Sequence, residues 1–384
     1  MKNYIHEQSE WPNFIWDSNK LLTLLTKVRN LQGRVVGRMG ALGFELQNQA
    51  NLEIITQDVL KSTEIEGELL NPEQVRSSVA RRLGLEVSGL VHSERSVDGV
   101  VEMMVDATEN FTKPLSKSRI FAWHNALFPT GLSGMYKVIV GKWRDDSTGP
   151  MQVVSGPMGK EKVHYQAPDA KLLESEMDSF FEWINDNQDI DSVFKAAIAH
   201  LWFVTIHPFE DGNGRIARAI TDMLLAKSDN QSYRFYSMSS QIRIERKQYY
   251  DILEQTQKGE LDITKWLEWF LSCLLNALES SETILERIIF KHSFWNTNST
   301  KIKNDRQTKI LNRLLDGFEG KLTSSKWAKI GKCSQDTAAR DIQDLIEKNI
   351  LYKLPGGGRS TGYDLVKEKD ENTPAGNKTK FHGR

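Results

Sequence analysis

Two apolar runs, Ala196 to Ile206 and Ile216 to Ala226, are separated by a short polar stretch that begins His207-Pro208-Phe209-Glu210-Asp211. Runs of that length are too long for ordinary strands, so the pattern predicts two helices joined by a tight loop. Gly212 and Gly214 flank Asn213 in that loop, which lets successive backbone N–H groups turn inward at the start of the second helix. Such a concavity, backed by the positive end of a helix, is an anion site, and phosphate is the anion that suits it. Arg215 and Arg218 lie three residues apart, on one helical face, where their guanidinium forks can clamp phosphate oxygens. Asp211 offers a hard oxygen for Mg²⁺, which nucleotide phosphates carry. His207 titrates near neutral pH and is the candidate general base.

Each of these features alone has an ordinary structural meaning; their strength lies in adjacency. From His207 to Arg218 the chain matches, without a gap, the signature His-x-Phe-x-Asp/Glu-Gly-Asn-Gly-Arg-x-x-Arg, and on those twelve residues it resembles the Fic-domain protein adenylyltransferases. The resemblance implies a mainly α fold with a Fic-type helical core and a β-hairpin flap. It implies ATP as substrate, with Mg²⁺ on Asp211, and transfer of AMP to a Tyr, Thr or Ser hydroxyl of a target protein and of the enzyme itself. His207 would take the hydroxyl proton. The Gly212 to Gly214 nest, Asn213, Arg215 and Arg218 would bind phosphate oxygens, and Phe209 would anchor the loop in the core.

Residues 1–95 carry helical apolar spacing and are expected to form a helical domain. Within it Gly67 can end a helix in the left-handed conformation, leaving Glu66 where a carboxylate opposes the helix dipole. Ser62-x-x-x-Glu66-Gly67 is similar to the inhibitory motif, Ser/Thr-x-x-x-Glu-Gly/Asn, that Fic proteins carry on a separate helix. That resemblance implies an ion pair from Glu66 to Arg218 that keeps ATP in an unproductive pose.

Residues 96–290 are expected to form the catalytic domain. His124 sits in a helical apolar run and reads as a packed core histidine. Between Gly141 and Asp169 short β-branched pieces (Trp143-Arg144, Met151 to Val154, Lys162 to Tyr165) alternate with Gly-Pro turns, which predicts a hairpin. In Fic proteins such a flap, here about Gly159 to Pro168, lies over the active site and holds the target by strand addition. Val163, His164 and Tyr165 would then be nearest the nucleotide and the modified side chain. The resemblance also puts Tyr249, Tyr250 and Gln257 around the adenine and ribose, although Asn is the commoner family residue at the last position and an aromatic stripe at helical spacing equally describes core.

The end of the chain has a different character. A polar stretch, 291–304, reads as a linker; residues 305–366 follow in the order helix, helix, helix, hairpin and resemble a winged-helix domain. From Lys301 onward 18 basic residues face 11 acidic ones, in a chain whose net charge is −1. Lys332, Arg340, Lys348, Lys353 and Arg359 suit phosphate, whereas Asp336, Asp341, Asp344 and Glu347 on the third helix oppose it, leaving DNA and protein as equal candidate partners. Residues 367–384, polar and poor in apolar side chains, are expected to be a disordered tail.

At 384 residues the chain holds two or three domains. Its two cysteines, Cys273 and Cys333, lie far apart and imply no disulfide framework, and no run has membrane-spanning length, so a cytoplasmic location and no membrane partner are expected. The sequence is silent on oligomeric state, a homodimer included. Two other readings stay open: a pocket that removes AMP or transfers another phosphate-linked group, and a winged-helix transcription regulator whose Fic fold senses nucleotide. The intact His207, Asp211 and Arg218 weigh against the regulator, because a sensor has no need of a base.

Overall fold

The computed structural model describes residues 4–366 except 87–88, 148, 158, 187–188, 303, 316, 319 and 356–360. It is mainly helical and divides into two units, Met1–Glu286 and Arg287–Arg384. The first begins with α1 (Ser18–Gly40), α2 (Phe44–Ile65), α3 (Pro72–Arg82), α4 (Arg95–Glu109) and α5 (Lys117–Leu127). Two hairpins follow, β1 (Leu132–Ser133) with β2 (Tyr136–Lys137), and β3 (Gln152–Ser155) with β4 (Lys162–Gln166). Then come α6 (Leu173–Asn185), α7 (Ser192–Ile206), α8 (Asn213–Asp229), α9 (Met238–Ile244), α10 (Arg246–Gln257) and α11 (Thr264–Asn298).

The two apolar runs are α7 and α8, packed against each other at the centre. Every residue of α7 from Val193 to Ile206 is buried, as expected of a helix apolar on all sides. Asp191 caps its first turn by accepting from the Val193 N–H at 2.8 Å and is itself paired with Arg29 of α1. α2 lies against α8 and α9, and it ends as the sequence predicts. Gly67 is left-handed at φ +90°, the Gly67 N–H donates to the Glu64 carbonyl and the Glu68 N–H to Thr63, a Schellman closure that only glycine adopts without strain. The closure sends the chain back across α8, with Glu66 and Glu68 on either side of the turn.

Two hairpin expectations need correction. Trp143-Arg144 is not part of a strand; Arg144 is buried instead, at 3% exposure. In the β3–β4 hairpin Val153 faces Tyr165 while Val154 faces Val163, so His164 is the extra residue of a bulge.

In the second unit α12 (Asp305–Leu315), α13 (Ser324–Gly331) and α14 (Gln335–Glu347) precede the antiparallel pair β5 (Leu351–Lys353) and β6 (Tyr363–Leu365). Trp327, fully buried, is the centre of its core with Ile310, Leu311, Leu345 and Leu351. The reading of 291–304 as a linker is corrected: α11 continues to Asn298, because Phe294 is a core residue and Trp295 packs beside it. Asp341 is turned inward, accepting from Arg306 at 3.1 Å and from the Trp327 indole at 3.3 Å, while Asp344 takes Gln307 and Lys348. These two carboxylates are therefore spent inside the unit. Arg359 and the expected tail lie outside the described residues. Among the described residues no helix is long and apolar enough to cross a membrane, and both cysteines are free.

Candidate functional site

The loop between α7 and α8 starts with a strained residue. His207 is left-handed at φ +51°, a conformation that costs a non-glycine residue about 1 kcal/mol and must be held from outside. Arg144 holds it: its Nε donates to the His207 carbonyl at 2.8 Å, and its backbone N–H to the Pro208 carbonyl at 2.9 Å. The imidazole Nδ1 lies 3.2 Å from the Val204 carbonyl. A carbonyl can only accept, so Nδ1 carries the hydrogen and Nε2 keeps its lone pair. Burial holds this imidazole down to about 4, so the ring is neutral at pH 7 and able to accept a proton.

Phe209 is fully buried, as predicted, with the His124 ring stacked on it at 4.0 Å and 8°. Asn213 departs from expectation. Its side chain accepts from the Phe209 N–H at 3.0 Å and donates to the Phe209 carbonyl at 2.8 Å, so it closes the loop upon itself and only its backbone N–H can serve an anion. Gly212, left-handed at φ +84°, starts α8, and its N–H is taken by the Asp211 carboxylate. The N–H groups of Asn213, Gly214 and Arg215 donate to no protein acceptor among the described residues. Three such donors at a helix N-terminus have the geometry of an anion cradle.

That cradle already faces a carboxylate. A Cβ on Gly214 would come within 2.2 Å of Glu66 Oε1, so a side chain there would push the Glu66 carboxylate out of this pose. Glu66 Oε1 accepts from Arg218 Nη2 at 2.6 Å, and the same guanidinium donates to the Ser62 hydroxyl and the Ser62 carbonyl, each at 2.8 Å. Arg218 is 1% exposed, and its Nη1 has no hydrogen-bond partner among the described residues. Arg215 is equally deep. One of its amino groups reaches Glu68 at 3.2 Å, the other lies 3.5 Å from Asp211, and its fork stands over the Phe128 ring. Both arginines of the loop are thus matched by carboxylates flanking Gly67.

Asp211 is half-open to solvent and accepts from the Ser133 hydroxyl of the β1–β2 hairpin at 2.5 Å. Among the described residues no cluster of three or more His, Cys, Asp or Glu side chains could cage a metal. One carboxylate is nonetheless what Mg²⁺ uses when phosphates and water complete its octahedron, so Asp211 fits that ion.

Several expected contacts are used otherwise. Tyr165 points into the core, its hydroxyl donating to the Thr205 carbonyl at 2.7 Å and lying 2.9 Å from His6, because the bulge at His164 turns it inward; it anchors the hairpin and is not presented to a ligand. His164 is held between Glu254 and the Ser155 hydroxyl, each at 2.6 Å, while Val163 is left exposed. Tyr249 is buried, with its hydroxyl 2.9 Å from His200, and is a core residue. Gln257 is buried under the end of α7, 3.4 Å from both the Val204 carbonyl and the Thr205 hydroxyl. Tyr250 alone of the three remains partly open, its ring beneath the Arg246 guanidinium.

Sequence reasoning placed His124 in the core but gave no role in bracing the loop to it, to Arg144 or to Glu68. His124, also held down to about 4 by burial, lies 3.2 Å from the Asp211 carbonyl and accepts the Gly141 N–H at 3.2 Å. Arg144 and Glu68 act on backbone and side-chain groups far away in sequence, and neither leaves a periodic signal.

Residues 114–225 match the Fic/DOC family, and residues 4–85 match a family described as a domain of unknown function, DUF4172. The protein adenylyltransferase fic-1 of Caenorhabditis elegans is 25% identical over 173 residues, 44% of this chain and 31% of that protein. The protein adenylyltransferase Fic of Drosophila mojavensis is 33% identical over 105 residues, 27% of this chain and 19% of that protein. The matched region therefore spans less than a third of either relative. A crystal structure of a Fic family protein from Desulfovibrio desulfuricans G20 aligns with a TM-score of 0.49 at 19% identity, covering 91% of this chain and 97% of that one. Residues 114–225, which contain the loop, all of α7 and the start of α8, are a Fic/DOC-family domain.

Proposed function

We propose that this protein is an adenylyltransferase that moves AMP from ATP to a Tyr, Thr or Ser hydroxyl of a target protein and of itself, and that Glu66 restrains it. The observation that carries the reading is the contact of Glu66 with Arg218 at the free N–H groups of α8, beside an imidazole whose Nε2 makes no hydrogen bond among the described residues. A carboxylate rests where a phosphate fits, and a neutral base stands next to it.

In the reaction the acceptor oxygen attacks the α-phosphorus while His207 Nε2 takes its proton. The bond from that phosphorus to the oxygen bridging to the β-phosphate breaks, and pyrophosphate leaves. The N–H groups of Asn213, Gly214 and Arg215, with the two guanidinium groups, hold phosphate oxygens in line; positioning and charge stabilisation supply most of the rate. Mg²⁺ on Asp211 would neutralise charge on the α- and β-phosphates. A nucleotide sensor needs none of the proton chemistry that the His207 tautomer favours.

Incubation of the purified full chain with ATP and Mg²⁺, followed by mass spectrometry, should find added AMP on the protein or on lysate proteins. His207→Ala should abolish it; full incorporation by that variant removes His207 as the base. The second unit we read as a winged-helix module, on its helix, helix, helix, hairpin order. With Asp341 and Asp344 spent internally, the case for DNA strengthens, and a mobility-shift assay with the full chain decides it.

A further inference from the structure

Of the side chains outside the signature that brace the loop, one holds the backbone of His207 itself. Arg144 lies between the two hairpins, and three of its four hydrogen bonds go to backbone carbonyls: Nε to His207, an amino group to Pro168 at 2.5 Å, and its own N–H to Pro208. The fourth goes to Asp146 at 2.7 Å, whose other oxygen accepts the Ala170 N–H, also at 2.7 Å. The side chain is only 1% exposed. A buried cation devoted to backbone oxygens is an expensive feature unless its position is required. Pro168 closes the segment that leaves β4, and His207 begins the loop, so one guanidinium fork spans the base of the hairpin and the base of the reaction.

We propose that Arg144 is a positioning residue, which fixes His207 in its left-handed conformation, ties its pose to the root of the β3–β4 hairpin, and places a permanent positive charge beside the imidazole. Only arginine can do all three, because the planar fork reaches two carbonyls and a carboxylate at once whereas a lysine ammonium meets one or two. The charged groups that face the His207 ring are Arg144, which disfavours its protonation, and Glu66 and Asp211, which favour it. Burial is the larger influence and Arg144 acts in the same direction.

The role rests on the proposed transfer only for its kinetic readout, so two readouts are paired. In the full-length protein without nucleotide, the His207 imidazole signal, assigned by its loss in His207→Ala, is followed by NMR against pH in wild type, Arg144→Gln and Arg144→Lys. Removing the charge in Arg144→Gln should raise the titration of His207, whereas Arg144→Lys should leave it near the wild-type value. In a Glu66→Gly background, Arg144→Gln should lower kcat at least tenfold with the ATP KM little changed and move the acidic limb of the rate profile upward. In that background Arg144→Lys should recover part of kcat and show no limb shift. Unfolding temperatures report whether both variants fold, and Arg144→Lys carries the test if Arg144→Gln does not. An unmoved His207 titration in folded Arg144→Gln, or full kcat in both variants, overturns the proposal. A protein that transfers no AMP would refute the proposed function while leaving the titration to decide the role of Arg144.

Discussion

Replacing Glu66 by glycine removes the carboxylate that α2 sets against the N-terminus of α8. Arg218 then loses one charge-assisted hydrogen bond of 2.6 Å but keeps the two to Ser62, so it is not left bare in the core. A hydrogen bond to a charged group is worth about 1.5–3 kcal/mol, and because the Glu66 side chain is 28% exposed the lower half of that range applies. If the restrained state is favoured by about 1.5–2 kcal/mol through this contact, its loss should speed AMP incorporation about 10- to 30-fold, at tenfold for each 1.4 kcal/mol. The assay is the initial rate of incorporation from labelled ATP below saturation, in wild type, Glu66→Gly, and Glu66→Gly with His207→Ala as the blank. A Glu66→Gly protein that melts like wild type and labels within twofold of it would show that Glu66 occupies the phosphate place without governing it.

Glu68→Gln should free Arg215 from one of its two carboxylates and tighten ATP binding a few-fold by calorimetry; unchanged affinity would make that pair a surface contact only. Asn213→Ala removes both hydrogen bonds to the Phe209 backbone in the buried loop and should cost about 2 kcal/mol in denaturant unfolding, with activity lost in proportion to loop order. Burial holds His124 and His207 down to about 4 and His200 to about 3, so all three rings should remain neutral by NMR at pH 5. The unfolded chain binds protons below its ordinary histidine value of about 6.5 while these rings refuse them, so their contribution to stability is complete above that pH and is lost as pH falls towards 4. Any of these three rings titrating near 6.5 in the folded protein would contradict the burial argument.

The helix, loop, helix arrangement, the glycines at the start of α8 and the closure of α2 at Gly67 were legible in the sequence alone. These are local matters: apolar periodicity, glycine at positions of positive φ and the free N–H groups of a helix start are set by neighbours within a few residues. It misjudged the side chains of Asn213, Tyr165 and Asp341, gave no role to Arg144 or Glu68, and read His124 as packed core without its contacts to the loop. A polar side chain near a site can face a ligand or satisfy the backbone, and residue type does not choose between them. Only the tertiary structure decides, because the deciding quantity is which carbonyls, N–H groups and charges would otherwise be buried without a partner, and those come from segments distant in the chain: Pro168 and His207 for Arg144, Phe209 for Asn213, and Arg306 with Trp327 for Asp341.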